Sequence, residues 1–124
     1  MNSTLKIEKE QVQGKVLVTV FYLHGWLDSQ GEETLLAAAK DSYDAGSRYL
    51  VLNLKDVEML TSAGMRAMQK VHKIYRQEGE QVTVSHVKLC NAPEQVHNVL
   101  GITGFLMTIP NYENQQTAID AFEK

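Results

Sequence analysis

Tyr49-Leu-Val-Leu-Asn-Leu54, followed by Asp56-Val-Glu-Met-Leu-Thr-Ser-Ala-Gly-Met-Arg66, is the stretch on which the fold turns. Its first part is a short, nearly continuous apolar run of strand length, the pattern of a central strand covered on both faces. Its second part reads as a loop leaving that strand and entering a helix. From Ser62 to Gln77 apolar residues recur at helical spacing, at Met65, Met68, Val71, Ile74 and Tyr75, and Gly79 follows as a terminator. Thr61 and Ser62 stand at the helix start, where first-turn amides lack intrahelical partners and the macrodipole presents roughly +0.5 charge. One of the two hydroxyls is expected to cap the helix, a role worth about 1 kcal/mol. The spacing leaves open which.

Outward from this stretch the chain alternates strands and helices. Leu5 and Ile7 alternate, the chain reverses near Gln13-Gly-Lys15, and Val16 to Leu23 is rich in β-branched and aromatic residues, which together predict an antiparallel hairpin. After a loop at His24 to Asp28, Ser29 precedes Glu32 by three residues, the spacing of a capping box. The helix that follows buries Leu35, Leu36, Ala39 and Tyr43 and ends at Gly46. A further strand lies within Val82 to Leu89. Asn91, Pro93 and Glu94 open a third helix carrying Val96, Val99 and Leu100. Phe105 to Ile109 reads as a last strand, Pro110 interrupts, and Gln115 to Phe122 is a closing helix. The order β-β-α-β-α-β-α-β-α predicts an α/β fold, a small mixed sheet of about five strands with about four helices on one or both faces.

Composition narrows the function. The 124 residues suit one domain, and 12 Lys and Arg against 15 Asp and Glu give a net charge of -3, the opposite of a nucleic-acid footprint. The longest strongly apolar stretch, Val16 to Leu23, is far short of the ~20 residues a membrane helix needs. Charges near the N-terminus oppose a secretory signal, and a single cysteine, Cys90, fits a reducing cytoplasm. His24, His72, His86 and His97 are dispersed, and His24 with Asp28 is a weak metal pair, so no metal is expected. Ser85-His-Val-Lys88 matches Ser-x-x-Lys, but in a strand residues three apart point to opposite faces. No phosphate cradle of the Gly-x-x-x-x-Gly-Lys or Gly-x-Gly-x-x-Gly type is present. No nucleophile, base and orienter can be named together, so the chain is expected to be neither an enzyme nor a cofactor carrier.

Four pieces, in order along the chain, resemble the STAS domain family, the anti-sigma factor antagonists of bacterial partner switching. Leu23-His-Gly-Trp-Leu-Asp28 resembles the family's Gly-x-Leu-Asp after the second strand, and Leu50-Val-Leu-Asn-Leu54 its central strand. Leu60-Thr-Ser-Ala-Gly-Met-Arg66 resembles its phosphorylation loop and helix start. Pro93 with Val96 to Leu106, containing Gly101-Ile-Thr-Gly-Phe-Leu, resembles its closing helix and turn. Two features depart from the pattern: Thr61 stands where the family often has Asp, and about five extra residues lie around Glu80 to His86.

The resemblance implies a STAS-like single domain over residues 1–124 whose phosphoacceptor is Ser62. It implies a partner, an anti-sigma factor with a kinase fold, that binds the unmodified domain and phosphorylates it with ATP, and a phosphatase that resets it. The nucleotide would belong to that partner. The implied contact surface comprises Asp28, Trp26, Thr61, Ala63, Gly64, Met65 and Arg66. From the residues alone, Trp26 is an interface anchor or a cover for one end of the sheet, and Met65 a contact or a core residue; Met68 reads as core. The competing expectation is a constitutive STAS adaptor, in a stress-signalling assembly or a lipid transporter, in which the hydroxyl only caps the helix.

Overall fold

A computed structural model describes residues 4–76, 85–102, 105 and 109–122. The elements run β1 (Lys6–Gln13), β2 (Leu17–Leu27), α1 (Ser29–Asp44), β3 (Leu50–Leu60), α2 (Ser62–Tyr75), β4 (Val87–Cys90), α3 (Glu94–Ile102), β5 (Asn111–Tyr112) and α4 (Gln115–Asp120). The strands form one sheet in the order β1-β2-β3-β4-β5. The hairpin β1–β2 is antiparallel, with Gln13 opposite Leu17, and every other neighbouring pair is parallel. The expected α/β architecture, five strands with four helices, is the observed one.

Side-chain alternation along β3 decides how the layers form. Leu50, Leu52 and Leu54 face one way, into a core with Leu35 and Ala39 of α1, Ala67, Met68, Val71 and Tyr75 of α2, and Val96 and Leu100 of α3. Val51 faces the other way, with Val18, Val20 and Cys90, against Ala118, Ile119 and Phe122 around α4. Both faces of β3 are covered, which is why its sequence is an apolar run. Asn53 interrupts that run. Its amide donates to Gln115 Oε1 at 2.9 Å, Gln115 Nε2 donates to the Tyr22 hydroxyl at 3.0 Å, and that hydroxyl donates to Glu10 at 2.5 Å. A polar seam thus ties α4 to three strands and satisfies the amide that the sheet buries.

Several boundaries differ from the sequence reading. The capping role assigned to Ser29 and Glu32 belongs to Asp28, whose Oδ1 accepts from the Gln30 and Gly31 amides at 3.1 and 2.9 Å. Glu32 pairs across the helices with Lys70 instead, at 2.7 Å. Among the described residues the last strand is Asn111–Tyr112, beyond Pro110. Phe105 and Ile109 are both buried in the core, and Ile109 N donates to Phe105 O at 3.2 Å. Leu106 to Thr108, Gly79 and the start expected for β4 at Val82 lie outside the described residues.

His72, on the buried side of α2, has its Nδ1 3.2 Å from Ser85 Oγ. Burial, with the nearby charges of Arg76 and His86, pushes its imidazole below the ordinary value. The unfolded chain therefore takes up this proton first as pH falls, and the native state loses ground. Stability is expected to be full above about pH 7 and to decline as pH is lowered through about 6.5. The urea midpoint at pH 5.5 should lie below that at pH 7.5, and the difference should shrink in His72→Asn. A wild-type midpoint that rises on acidification contradicts the assignment.

Candidate functional site

Strands β2 and β3 outrun the rest of the sheet. β4 pairs with β3 only as far as Cys90 opposite Asn53, whereas β2 and β3 stay paired to Leu27 and Leu60. Two bulges steer this extension. Between the pairs Tyr22–Asn53 and His24–Asp56, β3 carries one extra residue, and it does so again between Gly25–Val57 and Trp26–Met59. The Lys55 amide, displaced from the ladder by the first bulge, donates to Asn53 Oδ1 at 3.0 Å. Gly25, at φ 105°, supplies the backbone bend at the second. The segment read as a loop, Asp56 to Leu60, is thus a strand, and Trp26 belongs to β2.

The bulges set what each face of the extension shows. Leu27 is fully buried and Leu60 packs on the same core. Trp26 and Met59, paired one residue earlier, are exposed by 37% and 40%. Trp26 does not cover the sheet end as core. Met59 is the residue the sequence reading missed: a methionine in a polar stretch carries no signal until the second bulge aligns it with Trp26.

At the tip of the extension the chain turns into α2. Thr61 is extended, at φ -110° and ψ 174°, and its hydroxyl accepts from the Gly64 amide at 3.3 Å. The Thr61 amide donates to Leu27 O at 3.2 Å, and Met65 N donates to Thr61 O at 3.0 Å. Thr61 is therefore the cap that the hydroxyl pair required. Ser62, the first helical residue, is exposed, and its hydroxyl has no hydrogen-bond partner among the described residues. Gly64 lies against β2 so closely that a Cβ there would stand 2.1 Å from Leu27 O.

The predicted contact residues separate by exposure. Ser62, Arg66 and Trp26 are exposed, while Thr61, Met65 and Asp28 are half-buried. Ala63 and Gly64 are buried, so they shape the helix start from beneath and offer a partner no side chain. Met68 is fully buried, as its spacing implied. Asp28 is committed to the α1 amides. The first turn of α2 has no acidic residue, and Arg66 lies one turn on, so the field around Ser62 suits an anion.

The histidine considered with Asp28 is elsewhere. His24 lies between two carboxylates, Nε2 2.9 Å from Glu8 and Nδ1 3.1 Å from Asp56. The two carboxylates address opposite ring nitrogens and do not converge on one point. Among the described residues no group of three or more His, Cys, Asp or Glu is arranged to hold a metal ion. Cys90 is buried, and its thiol is pushed up to about 12 by burial, so it is chemically quiet.

These features define a class: an α/β domain that displays a free hydroxyl, an arginine and two apolar side chains at the start of its second helix. The chain belongs to the STAS domain family, whose model matches residues 6–118. It is 31% identical, over 96% of both chains, to BtrV of Bordetella bronchiseptica, provisionally named an anti-sigma factor antagonist. Its fold is similar to that of an anti-sigma factor antagonist from Mycobacterium paratuberculosis, with a TM-score of 0.79 at 20% identity over 98% of this chain and 96% of that one. It is also similar to the anti-sigma factor antagonist SpoIIAA in its unphosphorylated form, with a TM-score of 0.70 at 17% identity over 93% and 94%. No helix among the described residues is long and apolar enough to cross a membrane.

The capping assignment is tested by two alanines. Thr61→Ala should lower unfolding free energy by about 1 kcal/mol, and Ser62→Ala by less than about 0.5 kcal/mol, both read from urea melts. Equal costs would mean that the two hydroxyls share the cap. Gly64→Ala should cost about 2 kcal/mol or more, because the new methyl meets backbone and not a flexible side chain. A stable Gly64→Ala protein would show that α2 is not clamped to Leu27.

Proposed function

We propose that this chain is an anti-sigma factor antagonist, switched by reversible phosphorylation of Ser62. The partner is an anti-sigma factor with a kinase fold, and a phosphatase removes the mark. The observation that carries the reading is the division of labour at α2: Thr61 caps the helix, which leaves the Ser62 hydroxyl exposed and uncommitted. A hydroxyl needed for capping could be modified only at a cost in stability. This one is free of that duty.

The docking surface on this reading is Trp26, Met59, Met65 and Arg66 around Ser62, with Thr61, Ala63, Gly64 and Asp28 fixing its shape. Aromatic and arginine side chains are the types that anchor interfaces. A phosphate on Ser62 adds about -1.5 to -2 charge at a helix N-terminus, where backbone amides and the dipole accept it, so the domain stays folded. For a partner the change is severe, because a hydrated dianion must be stripped of water before the same contact forms. A penalty of ~3 kcal/mol lowers affinity more than a hundredfold. That SpoIIAA is solved in both an unphosphorylated and a phosphorylated form supports a surface with two states.

The test is to incubate the purified chain and ATP with kinase-fold anti-sigma factors from the same genome, and to map phosphate by mass spectrometry. Phosphate should sit on Ser62 and vanish in Ser62→Ala. Label on another residue, or persisting in Ser62→Ala, overturns the assignment. Ser62→Asp should weaken the complex by about a hundredfold, measured by calorimetry, with the melting temperature nearly unchanged.

A further inference from the structure

The end of the sheet opposite Ser62 carries a second polar site. Ser62 lies past the C-terminal end of β3, whereas Thr19 pairs with Leu50 at its beginning, about 30 Å away along the strand. There the start of β2, the edge strand β1 and the turn after α1 surround an open cavity of about 340 Å³ lined by Lys9, Gln11, Thr19, Ser42, Ser47 and Arg48 among others. None of the lining residues is acidic. Alternation along β1 accounts for this: Lys9 and Gln11 face the cavity, while Glu10 faces the other side and holds Tyr22.

The hydrogen bonds inside the cavity run in one direction. The Tyr75 hydroxyl donates to Ser47 Oγ at 3.0 Å, Ser47 Oγ lies 2.7 Å from Thr19 Oγ1, and Thr19 Oγ1 donates to Gln11 Oε1 at 3.3 Å. Because the Thr19 proton is used on Gln11, Ser47 must donate to Thr19. The chain leaves the Gln11 amide group as a donor, while Ser47 Oγ, Thr19 Oγ1 and Gln11 Oε1 each accept one bond. Ser42 is only 4% exposed, and its hydroxyl has no partner among the described residues. A buried hydroxyl without a partner costs free energy, so its presence in this wall points to a ligand that it serves.

The C-terminus of α1 also borders the cavity, and its carbonyls would repel an anion if they were bare. They are covered. Ala45 N, Gly46 N and Ser47 N donate to Asp41, Tyr43 and Ser42 oxygens, and Arg48 Nη1 donates to the Tyr43 and Ser47 carbonyls at 2.8 Å. Stacked on Tyr43, the Arg48 guanidinium still holds three N–H groups on Nε and Nη2. The Lys9 ammonium, the Gln11 amide and the outer edge of Arg48 remain as donors and positive charge, and the Ser42 hydroxyl, buried in the wall, has no partner among the described residues.

We propose that this cavity is a binding site for a small oxyanion, a phosphate or carboxylate group on a short carbon skeleton, distinct from the Ser62 surface. The cavity volume is within the range of small-molecule sites. Lys9 and Arg48 supply the charge, and Ser42 and Gln11 orient the oxygens.

The experiment is an amide NMR titration of the unphosphorylated protein at low ionic strength with inorganic phosphate, glycerol 3-phosphate and citrate, with glycerol as neutral control. Saturable shifts at Gln11, Thr19 and Gly46 to Arg48 are expected with one or more of the anions and not with glycerol. Saturation by phosphate and glycerol 3-phosphate alone assigns a phosphoryl ligand, and saturation by citrate alone a carboxylate. Lys9→Gln should weaken binding about fivefold, as loss of one partly exposed charge contact does. Ser42→Ala should also weaken binding, with an unchanged or raised melting temperature, since it removes an unsatisfied hydroxyl. The proposal is overturned by saturation with glycerol, by shifts confined to Ser62 to Met65, by the absence of saturation with all three anions, or by affinities that both substitutions leave unchanged. None of these outcomes depends on phosphorylation of Ser62.

Discussion

The Leu27 carbonyl oxygen is the point on which the displayed surface depends. It accepts the Thr61 amide, closing the turn at the end of β3, and it lies where a side chain at position 64 would have to begin. Only a glycine lets α2 start against the end of β2 at that distance. The approach fixes the relative height of strand end and helix start, and with it the projection of residue 62. The two bulges serve the same end, because without the extra residues in β3 the pairing of Leu27 with Leu60 would be out of register. A tight backbone contact, and not a set of side-chain bonds, therefore positions the hydroxyl.

The neighbouring threonine completes the arrangement. A helix start has amides to satisfy, and a hydroxyl placed there is normally drawn into that work. Thr61 bonds the Gly64 amide and leaves Ser62 outside the backbone network. An aspartate at position 61 would also cap a helix, but it would set a negative charge beside Ser62. Threonine caps without one. The field at the start of α2 is then set by the dipole and Arg66, both favourable to an added phosphate.

Much of this was legible in the chain because burial writes itself as periodicity. The run Leu50 to Leu54 announced a strand covered twice, and Met68, Val71 and Tyr75 announced the inner face of α2. The expectation of one capping hydroxyl was also met. What failed to show were features that obey no period. Asp56 to Leu60 reads as a loop because the bulges break alternation and the strand is polar and partly exposed. β5, two residues long, is too short to leave a pattern, and the apolar residues Phe105 and Ile109 that suggested a strand are buried in the core. Ser29 and Glu32 had the spacing of a capping box, yet Asp28, one residue earlier, brings a charged acceptor to two amides, a stronger contact than a hydroxyl makes. Sequence spacing could place the Thr61–Ser62 pair at the helix, but assigning the roles required the direction of each side chain.

Helix α2 is held at both ends, and this bears on how a mark at Ser62 would act. Its first turn is pressed on Leu27, its buried face is packed on the sheet through Ala67, Met68 and Val71, and at its last residue the Tyr75 hydroxyl is bonded to Ser47. To shift the helix, a phosphate would have to break core packing worth more than surface electrostatics supplies, since exposed charge interactions contribute about 1 kcal/mol or less whereas a single large apolar side chain contributes about 1.5–3 kcal/mol. The comparison favours a rigid response. On the proposed function, the charge would change what the surface presents while the backbone beneath stayed in place, so discrimination would fall to the partner, which would have to desolvate either a hydroxyl or a dianion at a fixed position.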